Sequence, residues 1–314
     1  MALFIVSIHT QAFCNVPTLG AYMLPIVKAA VPVFFVLSSY FFSLKLRKGN
    51  NDSGMLTKYL KRIGLLYLFW AIVNFPFVVK HIISYRADGV GYMILWTIRD
   101  ILFSYTYSGS WFLSAMMLSI IALFYMCKSK FPEWLMALLA MFSLVIVYKS
   151  EFLPFMTGFY DFIKTYIRPE LDLTFISGFP WVVFGYLLSG VNMPSSRISP
   201  NKVLLYSLFA CIFLYGFALC FTESLLIRVL FVAALVITCH SIPDNTMLPY
   251  KIMRNISILI FFIHFDVLFI LRKLTGAVGG EGILSWCLVS IISLALAYMI
   301  LKIESKVKIL KYSH

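Results

Sequence analysis

Charged residues are scarce in this sequence. Only 12% of its 314 residues are Asp, Glu, Lys or Arg, whereas a soluble domain carries roughly a quarter to keep its surface wet. Water is therefore not the main solvent of this chain. The strongest soluble-enzyme signatures are missing as well: there is no H-E-x-x-H, no Walker loop, no G-x-S-x-G and no Gly-rich dinucleotide turn. Among the six cysteines there is no C-x-x-C pair, and most lie inside or at the ends of apolar runs, as small hydrophobes do. No disulfide framework, metal site or bound cofactor is expected from them. The first segment, MALFIVSIHTQAFC, lacks the basic start of a secretory signal, and bulky Phe13 before Cys14 makes a poor cleavage site, so a retained span is expected.

What is present is apolar. Hydrophobic residues make up 61% of the chain, with 30 Phe and 18 Tyr. Stretches near or beyond the roughly 20 residues that a helix needs to cross the hydrocarbon core follow one another closely. None alternates over about ten residues as the strands of a membrane β-barrel do. The expected fold is all-α, a polytopic transmembrane helix bundle in which residues 1–314 form a single integral-membrane domain within the lipid bilayer. The pattern predicts about ten spans, at 1–19, 26–44, 63–83, 109–127, 134–148, 173–191, 203–221, 225–240, 253–271 and 283–302, with a turn containing Pro17, Gly20 and Pro25 between the first two. Alternate loops collect Lys45, Arg47, Lys48, Lys58, Lys61 and Arg62, then Lys128 and Lys130, then Arg197 and Lys202, then Lys251 and Arg254, and finally Lys302, Lys306, Lys308 and Lys311. By the positive-inside rule both termini are cytoplasmic. The formal charge of +13 is then a loop bias and not a nucleic-acid footprint. The longer outer loops, 84–108 and 149–172, mix acidic and aromatic residues, and 84–108 includes an amphipathic patch, MILWTIRDILF.

Ionisable groups at membrane depth are expensive, so each is a candidate for function. His9 lies in FIVSIHTQAF and His264 in ISILIFFIHFDVLFI, with Asp266 two residues on. A buried histidine can take a proton from a hydroxyl at neutral pH, and His9 fits such a base. Equally, a polar residue there can hydrogen-bond a neighbouring helix and fix packing. For His264 packing is favoured, because a residue two positions away is not on the same helix face to orient it. His81 and His314 are given no role, and His240 is placed at the interface.

Taken together, several segments resemble the acyltransferase type 3 family of bacterial membrane acyltransferases. They are FIVSIHTQAF around His9, VPVFFVLSSYFFSLKL at 31–46, the basic entry KYLKRIGLLYLFW at 58–70, GSWFLSAMMLSIIAL at 109–123 and NISILIFFIHF at 255–265, with WVVFGYLLSG at 181–190 as a weaker sixth. The resemblance implies a protein of the bacterial inner membrane with about ten helices. Its implied reaction transfers an acyl group, most often acetyl, from cytoplasmic acyl-CoA, a co-substrate, to a hydroxyl of a surface polysaccharide or its lipid-linked precursor. It implies that His9 is the catalytic histidine. Lys61 and Arg62 would stand where basic groups meet the phosphates of coenzyme A, or would simply anchor the span. Trp111 and His264 match signature positions, with packing roles expected.

Two departures stand out. The family carries an Arg about ten residues before its first-span histidine, and only eight residues precede His9. The expectation is that the true start lies upstream, and an in-frame stop codon close before Met1 would sink it. Ser39 stands where the family has Gly. The competing classes are a transporter or flippase of lipid-linked sugar, marked by broken helices or paired repeats, and a polysaccharide polymerase. Neither the acceptor hydroxyl nor the oligomeric state is legible in the sequence.

Overall fold

Backbone N–H and C=O groups have no water to bond in hydrocarbon, so an apolar chain of this kind must satisfy them internally, and helices do so segment by segment. The computed structural model describes residues 1–48, 53–149, 173–190, 200–220, 225–241, 249–276 and 281–304, together with 158, 161–162, 165–166, 170, 306–307, 310 and 312–314. Among the described residues there are helices and short turns and no strand. The helices are α1 (Ala2–His9), α2 (Pro17–Arg47), α3 (Ser53–Val73), α4 (Phe75–Ser84), α5 (Val90–Phe103), α6 (Ser110–Lys128), α7 (Glu133–Lys149), α8 (Phe175–Gly190), α9 (Pro200–Cys220), α10 (Leu225–Ser241), α11 (Tyr250–Thr275) and α12 (Gly282–Glu304).

Five of these, α2, α6, α9, α11 and α12, are long and apolar enough to cross a membrane. The bent pair α3 and α4 counts as a sixth if it is one span, while α7, α8 and α10 are apolar but shorter. The expected spans from the fourth onward coincide with helices α6 to α12 to within a few residues. Most of the 149–172 loop lies outside the described residues, as do Arg197, Lys308 and Lys311.

The first three expected spans are corrected. α1 stops at His9 after 8 residues, a rise of about 12 Å, too short to cross alone. The break falls at residues 10–16, where Gln11 has a left-handed φ of 44°, and not at Pro17–Pro25. Pro17 instead opens α2, a position where its missing N–H is no loss. α2 then runs 31 residues straight through Pro25 and Pro32. Proline breaks helices in water, where a freed carbonyl finds solvent, but an apolar surround favours keeping the rest of the backbone helical.

The third expected span, 63–83, is also not one helix. α3 begins ten residues earlier, at Ser53, so Lys58, Lys61 and Arg62 lie on it instead of in a loop. It ends at Val73, and α4 leaves at 84°. Asn74 makes the corner: its side-chain amide donates to the Trp70 carbonyl (3.1 Å), while its own carbonyl accepts from the backbone N–H groups of Phe77 and Val78. Pro76, inside the first turn of α4, is tolerated there and stops α3 from continuing.

The chain forms two compact units, Met1–Phe34 with Asn192–His314, and Phe35–Val191. In the first, α9 packs on α10, α11 on α12, and α1 on both α11 and α12. In the second, α6 and α7 pack on α8, and α3 and α5 on α6. Close approach in the second unit depends on Gly185 of α8, where a Cβ would collide with Ser39 Oγ and the Val36 carbonyl. At the end of α2, Arg47 bonds Glu133 (3.0 Å) and Ser189 (3.0 Å) and lies over the Tyr186 ring.

α5 is built inside out. Asp100 is its one fully buried residue, while Val90, Ile94, Ile98 and Leu102, spaced four apart, are each about half exposed or more. Such a stripe at helical spacing faces apolar surroundings when the solvent is lipid.

Candidate functional site

α1 ends at His9, and its neighbours hold that end in place. The Arg272 guanidinium at the end of α11 donates to the His9 carbonyl (3.3 Å), the Gly282 N–H donates to the Thr10 carbonyl (3.0 Å), and the Trp286 indole donates to the Leu3 carbonyl (2.9 Å). Thr10 Oγ1 donates back to the Val6 carbonyl (2.9 Å). Gly282, at φ 89°, adopts a left-handed conformation close to Asn15 that a side chain would strain. These contacts fix where the His9 ring sits: half-buried, 4.5 Å from the Phe265 ring and 5.4 Å from the His264 ring.

His264 is fully buried on α11. Its Nδ1 lies 2.9 Å from the Ile260 carbonyl, which can only accept, so Nδ1 carries the proton and Nε2 presents a lone pair. That Nε2 has no hydrogen-bond partner among the described residues. An unsatisfied buried polar atom costs about 1–3 kcal/mol, and this one lies on a ring 5.4 Å from a second imidazole. Residues 255 positions apart in sequence thus meet as a histidine pair. Asp266 lies partly exposed on a different face from His264.

A consequence follows for stability. His264→Leu removes the unpartnered nitrogen and keeps the volume nearly filled, so folding stability is expected to stay within about 1 kcal/mol of the native value or to rise. Thermal melting in lipid nanodiscs checks this. A loss of several kcal/mol would show that His264 is a packing residue after all.

The other expected site residues belong to the second unit. Trp111, near the start of α6, is half-buried with its ring 6.1 Å from Phe35, and Ser110 beside it caps the preceding turn, its Oγ accepting from the Thr106 N–H (2.9 Å). Lys61 and Arg62 are exposed near the middle of α3.

The second unit also holds a polar cluster that the sequence did not single out. His81 of α4, Tyr85 just after it, and Arg99 and Asp100 of α5 converge. Asp100 Oδ2 accepts from Tyr85 OH (2.7 Å) and from His81 Nε2 (2.8 Å), and Oδ1 accepts from Arg99 Nε (2.7 Å). Arg99 also donates to Tyr85 OH (3.0 Å) and covers the Trp96 ring at 4.7 Å. Burial pushes the Asp100 carboxyl up, but hydrogen bonds from His81, Tyr85 and Arg99, with the charge of Arg99, hold it on balance below its ordinary range. A lowered folded-state pKa means stability that is present above the unfolded value of about 3.9 and lost as pH falls through the folded one. Melting temperature is therefore expected to drop on acidification below about pH 4 in the native protein, with a shallower drop in Asp100→Asn. Parallel curves for the two would contradict it.

Comparison with known proteins bears on this arrangement. A family model described as "Acyltransferase domain" matches residues 1–302. A protein of Enterococcus faecalis named "Amino-acid racemase" is 24% identical over 331 aligned positions, which take in 99% of this chain and 46% of that one. The chain thus spans about half the length of the curated relative it matches. No solved structure gives a significant match.

Proposed function

The chain belongs to the acyltransferase type 3 family, and on that premise we propose that it is an O-acyltransferase of the bacterial inner membrane. It moves an acyl group, acetyl foremost, from cytoplasmic acyl-CoA to a hydroxyl of a surface polysaccharide or its lipid-linked precursor. The observation that carries the proposal is the pair of imidazoles 5.4 Å apart, one of them with an unpartnered buried nitrogen. In the reaction, His9 takes the proton of the acceptor hydroxyl as its oxygen attacks the thioester carbonyl. When the tetrahedral intermediate collapses, the C–S bond breaks and the proton passes from the His9 imidazolium to the thiolate of coenzyme A. His264 Nε2, an acceptor only, suits holding the N–H of His9 or the acceptor hydroxyl in line. Lys61 and Arg62, exposed on α3, have the charge to meet the donor's phosphates. In this proposal α7, α8 and α10 are spans alongside the longer helices, the chain acts as one domain with about ten crossings, and both termini are cytoplasmic.

The racemase name belongs to a protein more than twice as long, and that activity is not carried over. One observation favours a second reading, a carrier of lipid-linked sugar: the 84° break at Asn74 is the kind of interrupted helix that transporters use. Incubating membranes with labelled acetyl-CoA separates the two, with the native chain compared against His9→Ala. Label entering glycan only with the native chain supports the transferase. Equal label from both rejects His9 as the base, and no transfer from any acyl donor leaves the carrier.

A further inference from the structure

The hairpin of α4 and α5 holds a further imidazole, that of His81, which the acyl-transfer chemistry at His9 does not use. His81 Nε2 faces Asp100, a carboxylate 1% exposed whose oxygens are filled by three side-chain donors. A carboxylate accepts and does not donate, so Nε2 carries the ring proton, and in the neutral imidazole Nδ1 is left with the lone pair. That Nδ1 has no partner among the described residues, and the His81 side chain is 20% exposed. Two phenol rings lie beside the imidazole, Tyr85 at 5.3 Å and Tyr105 at 5.4 Å between ring centres. Asp100 and Arg99 are occupied with each other and with Tyr85, so the cluster holds the imidazole's orientation firmly. What the neutral ring offers outward is one acceptor atom beside aromatic rings, a combination that suits a hydroxyl-bearing ligand.

We propose that His81 Nδ1 accepts a hydrogen bond from a hydroxyl of the acceptor glycan, making the α4–α5 hairpin a binding subsite for a sugar unit. This rests on the acyltransferase reading for the identity of the ligand and on the hairpin alone for the existence of the site. Asp100 is a positioning residue that fixes which ring nitrogen is presented. His81 recognises and does not react, so its loss weakens acceptor binding and spares donor chemistry.

Diethyl pyrocarbonate modifies unprotonated imidazole nitrogens, and peptide mass spectrometry reads the extent at each histidine. With the protein in nanodiscs, adding the cell-envelope glycan fraction of the producing cells is expected to slow modification of His81 about fivefold or more, with exposed His240 as the internal reference. An unchanged rate at His81 overturns the proposal. Independently, His81→Gln is expected to raise the KM for that glycan about tenfold, the loss of about one good hydrogen bond, with hydrolysis of labelled acetyl-CoA unchanged. Equal loss in both reactions shows a merely structural residue and overturns the proposal, as does an unchanged KM. If glycan protects His81 but the native protein transfers no acyl group, the sugar subsite stands and the acyltransferase reading falls.

Discussion

His9→Ala is expected to lower acyl transfer to glycan by about a hundredfold or more, in line with the loss of a positioned general base. The size of the effect follows from geometry. His9 contributes its ring to the site and its backbone carbonyl to the fold, where it accepts from Arg272, and alanine deletes the first while keeping the second. The variant should therefore insert and fold, and its loss should be in kcat and not in the KM for acyl-CoA. His9→Gln, which keeps a polar side chain but cannot take the proton, should be as inactive as alanine. Recovery of more than about a tenth of the native rate by glutamine would show that hydrogen bonding, not proton abstraction, is the role of this residue.

The second large effect concerns the fold. Gly185→Ala is expected to destabilise the second unit by about 1–3 kcal/mol or more, the range for overpacking a close-fitted interior. A new Cβ meets Ser39 Oγ and the Val36 carbonyl. The hydroxyl can turn away, though it is hydrogen-bonded to that same carbonyl (3.0 Å), but the carbonyl is helix backbone and can move only with α2. Ser39→Gly should restore part of the loss, the part due to the hydroxyl, and no more. Melting of the single and double variants in nanodiscs measures both terms, and additive losses would mean that the two positions do not touch. Gly185 lies in the weakest of the segments that resemble the family, and Ser39 is where this chain departs from the family's Gly. The structure places the two against each other, so the departure is accommodated at a position in α8 that has no side chain.

Most of the helices were legible from hydropathy because lipid leaves a helix few alternatives, and α6 to α12 fall where the apolar runs do. The errors came from importing the grammar of water. Pro17, Gly20 and Pro25 are punctuation in a soluble protein, yet Pro17 opens α2 and the helix runs on through Gly20 and Pro25. The true corner at Asn74 was hidden within an apolar run, although Asn-Phe-Pro is itself a helix-start signature that could have exposed it. His9 was legible as a candidate from its apolar surroundings and from the family resemblance. The pairing with His264 was not, because no periodicity connects residues 9 and 264. His81 was passed over for a related reason. Its partner Asp100 is 19 positions away, and only the turn at 85–89, which folds α5 back beside α4, makes them neighbours.

The inverted polarity of α5 bears on how the protein can be handled outside the cell. A soluble helix carries its adhesive face inward and can be diluted without risk, whereas α5 carries Val90, Ile94, Ile98 and Leu102 outward around a carboxylate core. Extraction that strips annular lipid leaves that stripe in contact with water, and the quickest remedy open to it is to seal against the same stripe on another molecule. A preparation that elutes as a defined dimer after harsh delipidation would then report the solubilising agent rather than the native assembly.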